Sequence, residues 1–281
     1  MSDNPLKQVF RTPALHIAIP SKGRFWADGS LDMPITQELE VYPMTARDEM
    51  LLNSPDGLLN GSATSSVIQS CIPAIKDAWQ TPSCDLDVIL MAIRVASVGT
   101  MLEIPTKCPH CGERHDYQLN LADILHAYNK QINWDQPVEL DRVSVFVRPQ
   151  PYYVVNSSNM ERFEQQQLIA VQQASNLSPT EKKDEFMKIF HRLTEMNLNS
   201  LSWSVESVVI KGDEPITVTD RAHISEWVDD ADKKTVDKIR ERINEIKEQL
   251  TVPPVTAQCT NEECLKTYTI PVVLDQSNFF G

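Results

Sequence analysis

The chain has 281 residues, 41% of them apolar, enough for one large domain or two modest ones around a packed core. Lys and Arg number 26 against 39 Asp and Glu, a net charge of −13. That balance argues against nucleic acid or an anionic membrane as partner, because both need clustered positive charge and no basic run exceeds Lys182–Lys183 or Lys233–Lys234.

In chain order, the first 45 residues read as extended structure. "ALHIAIP" puts Leu15, Ile17 and Ile19 on one face, "SKGRFWADGS" turns, and "ELEVYPM" (Glu38–Met44) alternates again. Thr45 with Asp48 makes the S/T-x-x-acid pattern of a capping box, opening a short helix through Leu52. Helices are expected over Ser65–Ile75 and Asp85–Val98, the second with Asp85 as N-cap and Gly99 as stop. Its Leu86, Ile89, Leu90, Ile93 and Ala96 lie at helical spacing and mark a core face. A cysteine-bearing hairpin follows, then a short helix near Leu121–Tyr128 and a strand with Val143, Val145 and Val147 on one face.

From Ser158 to Leu250 the pattern is mainly helical. Ser178–Glu181, "SPTE", offers a capping box with proline at the first helical position, starting a helix through Met196. On the charged helix Asp232–Leu250, Val236, Ile239, Ile243, Ile246 and Leu250 recur at alternating three and four. Burial of that stripe leaves Lys238, Arg242 and Glu245 exposed, whether the stripe faces this protein's core or another protein.

No apolar run approaches the roughly 20 residues that span a bilayer. The longest, Val88–Ile93, suits a buried helix, and "MSDNPLKQVFRTP" lacks a signal peptide's apolar centre. Synthesis in a cytosol is expected, where six cysteines are thiols or metal ligands rather than a disulfide framework. Eight glycines leave little room for phosphate loops, and G-x-S-x-G, G-x-x-x-x-G-K-[ST], H-E-x-x-H and G-x-G-x-x-G are all absent. His191, beside Phe190 and Leu193, reads as a helix histidine, and Val228–Lys234 as a helix cap with a solvated face. With no nucleophile, base and orienting group assembled, neither an enzyme nor a small-molecule substrate is expected.

Two cysteine pairs carry the most specific chemistry. Cys108-Pro-His-Cys111-Gly112 joins a strand Met101–Thr106 to a return strand with Tyr117, Leu119 and Leu121. Cys259-Thr-Asn-Glu-Glu-Cys264 joins Pro254–Gln258 to a return strand with Tyr268, Ile270 and Val272. Two such knuckles face to face would supply the four thiolates of a tetrahedral zinc site, with no open position for a catalytic water. Gly112 suits the turn of the first knuckle, and Asn261 is the candidate for that role in the second. A redox or disulfide pair and an iron–sulfur cluster are the alternatives. Cys71 and Cys84 have no partner at ligand spacing and read as buried thiols, and His110 and His115 as solvated loop histidines. Residues 112–258 lie between the pairs, where an ordinary zinc ribbon has roughly a few tens. The chain is therefore expected to be α+β in three parts. Residues 1–100 form a strand-hairpin and helical region, 101–121 with 254–274 a split zinc-ribbon-like element, and 122–253 a mainly helical insertion.

The order of "IPSKGRFW" (Ile19–Trp26), "YPMTARDEMLL" (Tyr42–Leu52), "CDLDVILMAIRVASVG" (Cys84–Gly99) and "IPTKCPHCG" (Ile104–Gly112) resembles the baseplate hub protein family of T-even-type contractile-tailed bacteriophages. The Gly23–Trp26 turn and the Thr45–Glu49 helix start carry most of the resemblance, which covers about the first 115 residues. It implies a structural protein of the virion tail baseplate, made in the host bacterial cytoplasm and contacting other tail proteins. The runner-up is a tail or hub assembly chaperone that is not retained in the virion. No catalytic residues come with the resemblance, and zinc rests on the cysteine spacing alone. Arg24, Phe25 and Trp26 are residue types that anchor interfaces, so this turn is expected either to contact another baseplate protein or to cover the chain's own core.

Overall fold

The computed structural model describes residues 6, 10–54, 57, 60–128, 132–174 and 179–272, and the side chains of all of these except 127 and 166–186. The fold is α+β, with eight α-helices and ten short strands among the described residues. The strands form three two-stranded antiparallel pairs and one four-stranded antiparallel sheet.

Strand β1 (Leu15–Ile17) pairs with β2 (Leu39–Val41), and their alternation buries Ile17, Leu39 and Val41 while exposing His16 and Glu40. Helix α1 (Ala46–Leu52) opens on the expected capping box: Thr45 Oγ1 accepts from Asp48 N, and the Asp48 carboxylate accepts from Thr45 N. Helix α2 (Ser62–Cys71) is displaced from its expected Ser65–Ile75. It starts after Gly61 at φ 75°, where a Cβ would come within 2.7 Å of Tyr152 Oη and Asn156 Oδ1. It stops at Cys71 because Pro73 disfavours the helical conformation for Ile72.

Helix α3 (Ser83–Ser97) is the centre of the first core, with Ile89, Met91 and Ile93 fully buried. Its N-cap is Pro82, not Asp85; Asp85 stands in the first turn and is itself buried. Around α3 pack α2, β1 and β2. They are joined by Leu119 and Leu121 from the middle of the chain and by Val252 and Val272 from its end.

Strands β3 (Met101–Lys107) and β4 (Arg114–Asn120) make a hairpin that runs into α4 (Leu121–Ala127), capped by Asn120. A sheet of β5 (Val138–Glu139), β6 (Val143–Val147), β7 (Val205–Ile210) and β8 (Ile216–Val218) follows in that spatial order. Helices α5 (Tyr152–Ala174) and α6 (Pro179–Trp203) lie between neighbours β6 and β7 in sequence. Ser178, the expected cap of α6, lies outside the described residues.

One face of the sheet, with Val145, Val147, Val205 and Val208, packs on α7 (Arg221–Asp229) and α8 (Lys233–Leu250) as a second core. On α8 Val236, Ile239 and Ile246 are buried, Ile243 and Leu250 half-buried, and Glu245 exposed as expected, while Lys238 is half-buried. Arg242 departs from expectation. It is 8% exposed, because its guanidinium reaches across to donate to Asn133 O at 2.7 Å. Strands β9 (Val255–Gln258) and β10 (Thr267–Ile270) then form the last hairpin among the described residues.

Candidate metal centre

The two cysteine knuckles meet. Cys108 Sγ lies 3.9 Å from Cys264 Sγ and Cys111 Sγ 3.5 Å from Cys259 Sγ, and all four sulfurs lie within 4.8 Å of one another. A tetrahedron with metal–sulfur bonds of about 2.3 Å has edges of about 3.8 Å, so these separations suit four ligands around one ion. They are far longer than a disulfide, which needs about 2.05 Å. Cys108 and Cys259 are buried, Cys264 is half-buried and Cys111 is exposed.

The knuckles share one turn bond and differ in the other because the second loop is two residues longer. Cys108 N donates to Glu113 O and Gly112 N to Cys108 O; Cys259 N donates to Lys266 O and Leu265 N to Asn261 O. Each first cysteine thus bonds to the residue two past its second cysteine. The positive φ falls one past the second cysteine in both, at Gly112 (80°) and Leu265 (49°). Leu265, not Asn261, takes the glycine's place. Asn261 instead accepts from Glu263 N through its side chain, shaping the longer second loop.

Burial raises the Cys108 thiol, but the amide N–H groups of Cys111 and His110 outweigh it and bring it down to about 7. At Cys259 the Asn261 amide acts downward, while burial and the thiols of Cys111, Cys108 and Cys264 push it up to about 12. Cys111 and Cys259 are raised while Cys108 is lowered, as expected where neighbouring thiols share one small space.

Behind the sulfurs, Ala257, Tyr268 and Ile270 form a small apolar cluster with Ile104 and Tyr117 of the first hairpin. Tyr268 Oη meets His115 Nε2 at 2.5 Å, their rings edge to face at 5.8 Å. His115 is therefore a half-buried strand residue joining the two hairpins, while His110 stays exposed in the first turn. Cys71 and Cys84 are buried apart from this centre, and burial pushes the Cys71 thiol up to about 12.

The turn with Arg24, Phe25 and Trp26 has partners within the chain. Arg24 pairs with Asp135 at 2.6 Å and Glu206 at 3.0 Å and stacks over Phe25. Phe25, at φ 72°, sets its ring edge-to-face on Trp134 at 5.0 Å in the second core. Trp26 packs on the first core and donates from Nε1 to Asp85 at 2.9 Å. The turn thus touches both cores, the alternative that the sequence left open for it.

No helix among the described residues is long and apolar enough to cross a membrane. No curated protein and no solved structure matches the chain. The family described as T4 bacteriophage base plate protein matches residues 27–281. That match begins just past Trp26 and continues through the helical and C-terminal segments that the resemblance of the first 115 residues did not reach. It takes in both cysteine pairs, the sheet and the eight described helices, and with this extent matched the chain belongs to the T4 bacteriophage base plate protein family.

Proposed function

We propose that this baseplate protein is a structural component of the hub region of a contractile tail, acting through contacts with other tail proteins. We propose further that one zinc ion, held by Cys108, Cys111, Cys259 and Cys264, fastens its C-terminal hairpin to the middle of the chain. The observation that carries the zinc is the span of the four sulfurs, all within 4.8 Å, which fits a single ion. An iron–sulfur cluster would force the pairs apart around its inorganic core. Four thiolates leave no coordination position for water, so the metal is structural. The family suggests a non-enzymatic role, and its tail location supplies the partners.

Two measurements test this reading. Elemental analysis of protein purified without chelators should find one zinc per chain; no metal, or iron in its place, would overturn the assignment. Mass spectrometry of purified virions should find the chain at fixed stoichiometry with other baseplate proteins. Its presence only in infected lysate would make it an assembly chaperone instead.

A further inference from the structure

Between the end of β6, the start of α5, the end of α6 and α8 lies a cavity of about 260 Å³. Its charged lining residues are Arg148, Arg162 and Lys247, with no carboxylate among them, although the chain as a whole has 39 acidic against 26 basic side chains. Trp134, Val147 and Ile246 give it an apolar floor. A second recess of about 340 Å³ continues it along α6 and α8, sharing Lys247, adding Arg240 and again lacking a carboxylate.

Within this lining Trp134 is only 7% exposed, and Arg148 is held from behind by its Nη2, which donates to Phe25 O at 3.2 Å. Glu206 acts on Arg148 from outside the lining, but it is already engaged by Arg24.

We infer that this cavity receives a carboxylate side chain, flanked by an apolar residue, from an acidic segment of another tail protein. The cations offer donors to the carboxylate, and the floor receives the neighbouring apolar group. The recess has room for one or two side chains, whereas a nucleic-acid backbone needs an extended basic surface that a chain of charge −13 does not provide. Only the identity of the partner rests on the baseplate reading.

The test uses the full-length protein with ¹⁵N-labelled tryptophan. The Trp134 indole resonance is assigned by its loss in Trp134→Phe. A capped peptide alternating Glu and Leu should shift that resonance saturably. The double variant Arg162→Ala/Lys247→Ala, which trims two exposed side chains, should bind about ten-fold more weakly. A matched peptide of Lys and Leu should leave the resonance in place. An unmoved resonance, unchanged affinity in the double variant, or an equal response to the basic peptide overturns the inference. So does tighter binding of inorganic phosphate or of a single-stranded DNA oligomer at the same resonance. Because the titration uses isolated protein, it can fail while the chain is still found in virions, and can succeed if it is not.

Discussion

Ser21 N, Ser21 Oγ and Trp26 Nε1 all donate to the Asp85 carboxylate, at 2.8, 2.5 and 2.9 Å. Locally, an aspartate ahead of an apolar-periodic run reads as a helix cap, and that is how the sequence presents it. Its partners stand 64 and 59 positions away, so no local pattern reveals them. The same is true of Arg242, whose acceptor on Asn133 lies 109 positions off. Replacing Arg24 and Trp26 together by alanine should lower the thermal transition, with Trp26→Ala supplying nearly all of the loss. The exposed ion pairs of Arg24 are worth about 0–1 kcal/mol each. Losing the Trp26 ring and its bond to Asp85 should cost about 2–4 kcal/mol. An unchanged transition would return the turn to the role of interface anchor. Asp87, two residues after Asp85 on the same helix but without its donors, is raised by burial from its ordinary 3.8 to about 6. The folded state therefore holds more protons than the unfolded one between those values, and stability from this group falls as pH rises through the window. Asp87→Asn should stabilise the protein by about 1–3 kcal/mol near pH 7 and leave it unchanged near pH 3, as read by urea unfolding. Asp85, raised in the same direction, retains its own share of the slope in that variant. An equal gain at both pH values would assign the effect to packing and not to charge.

Among elements, those with complete local signals were legible: α1 from its capping box, α8 from its stripe, and both cysteine hairpins from strand, turn and strand. The sheet was not. In β7 the buried residues are Val205 and Val208, three apart, which is helical spacing. The cause is a bulge in β7 itself, where Glu206 is the extra residue facing Phe146 and Val147 and the register shifts from Phe146↔Ser207 to Val147↔Val205. A strand with that burial, entered directly from α6 through Ser204, looks like the helix continuing. On α8 the structure separates two outcomes that the stripe alone does not. Ile239→Ala should cost about 2–5 kcal/mol, since Ile239 is fully buried against the sheet. Arg242→Ala should cost about 1–3 kcal/mol by leaving Asn133 O without its donor, although an exposed arginine at that position would be worth almost nothing. Equilibrium denaturation of the two variants checks both, and a silent Arg242→Ala would mean that the guanidinium is held by solvent rather than by the loop.

At the scale of the molecule, the chain's end is tied to its middle. Cys111 and Cys259 are 148 positions apart, and the cost of closing a loop grows only with the logarithm of its length. A structural zinc contributes on the order of 10 kcal/mol or more, which exceeds that cost comfortably. The distant pairing was legible because two matched knuckles implied one centre. Between them single elements such as β6 and α8 were legible, but how they assemble into a sheet backed by two helices was not, because that assembly imposes no pattern on the knuckles themselves. Without the proposed metal, the joint retains the Tyr268–His115 contact and a cluster of a few apolar side chains. Those are too few to hold a two-stranded hairpin firmly. Cys259→Ser/Cys264→Ser, or removal of the ion with a strong chelator, should therefore release β9 and β10 first. Hydrogen exchange should show protection lost in Val255–Gln258 and Thr267–Ile270 and weakened at Val272, which packs on the first core. The β5–β8 sheet, with its own core against α7 and α8, should keep its protection. If the sheet exchanges together with the hairpin, the metal holds the whole chain as one cooperative unit. If neither changes, the hairpins stand on their apolar contacts alone and the four cysteines bind nothing that matters to the fold.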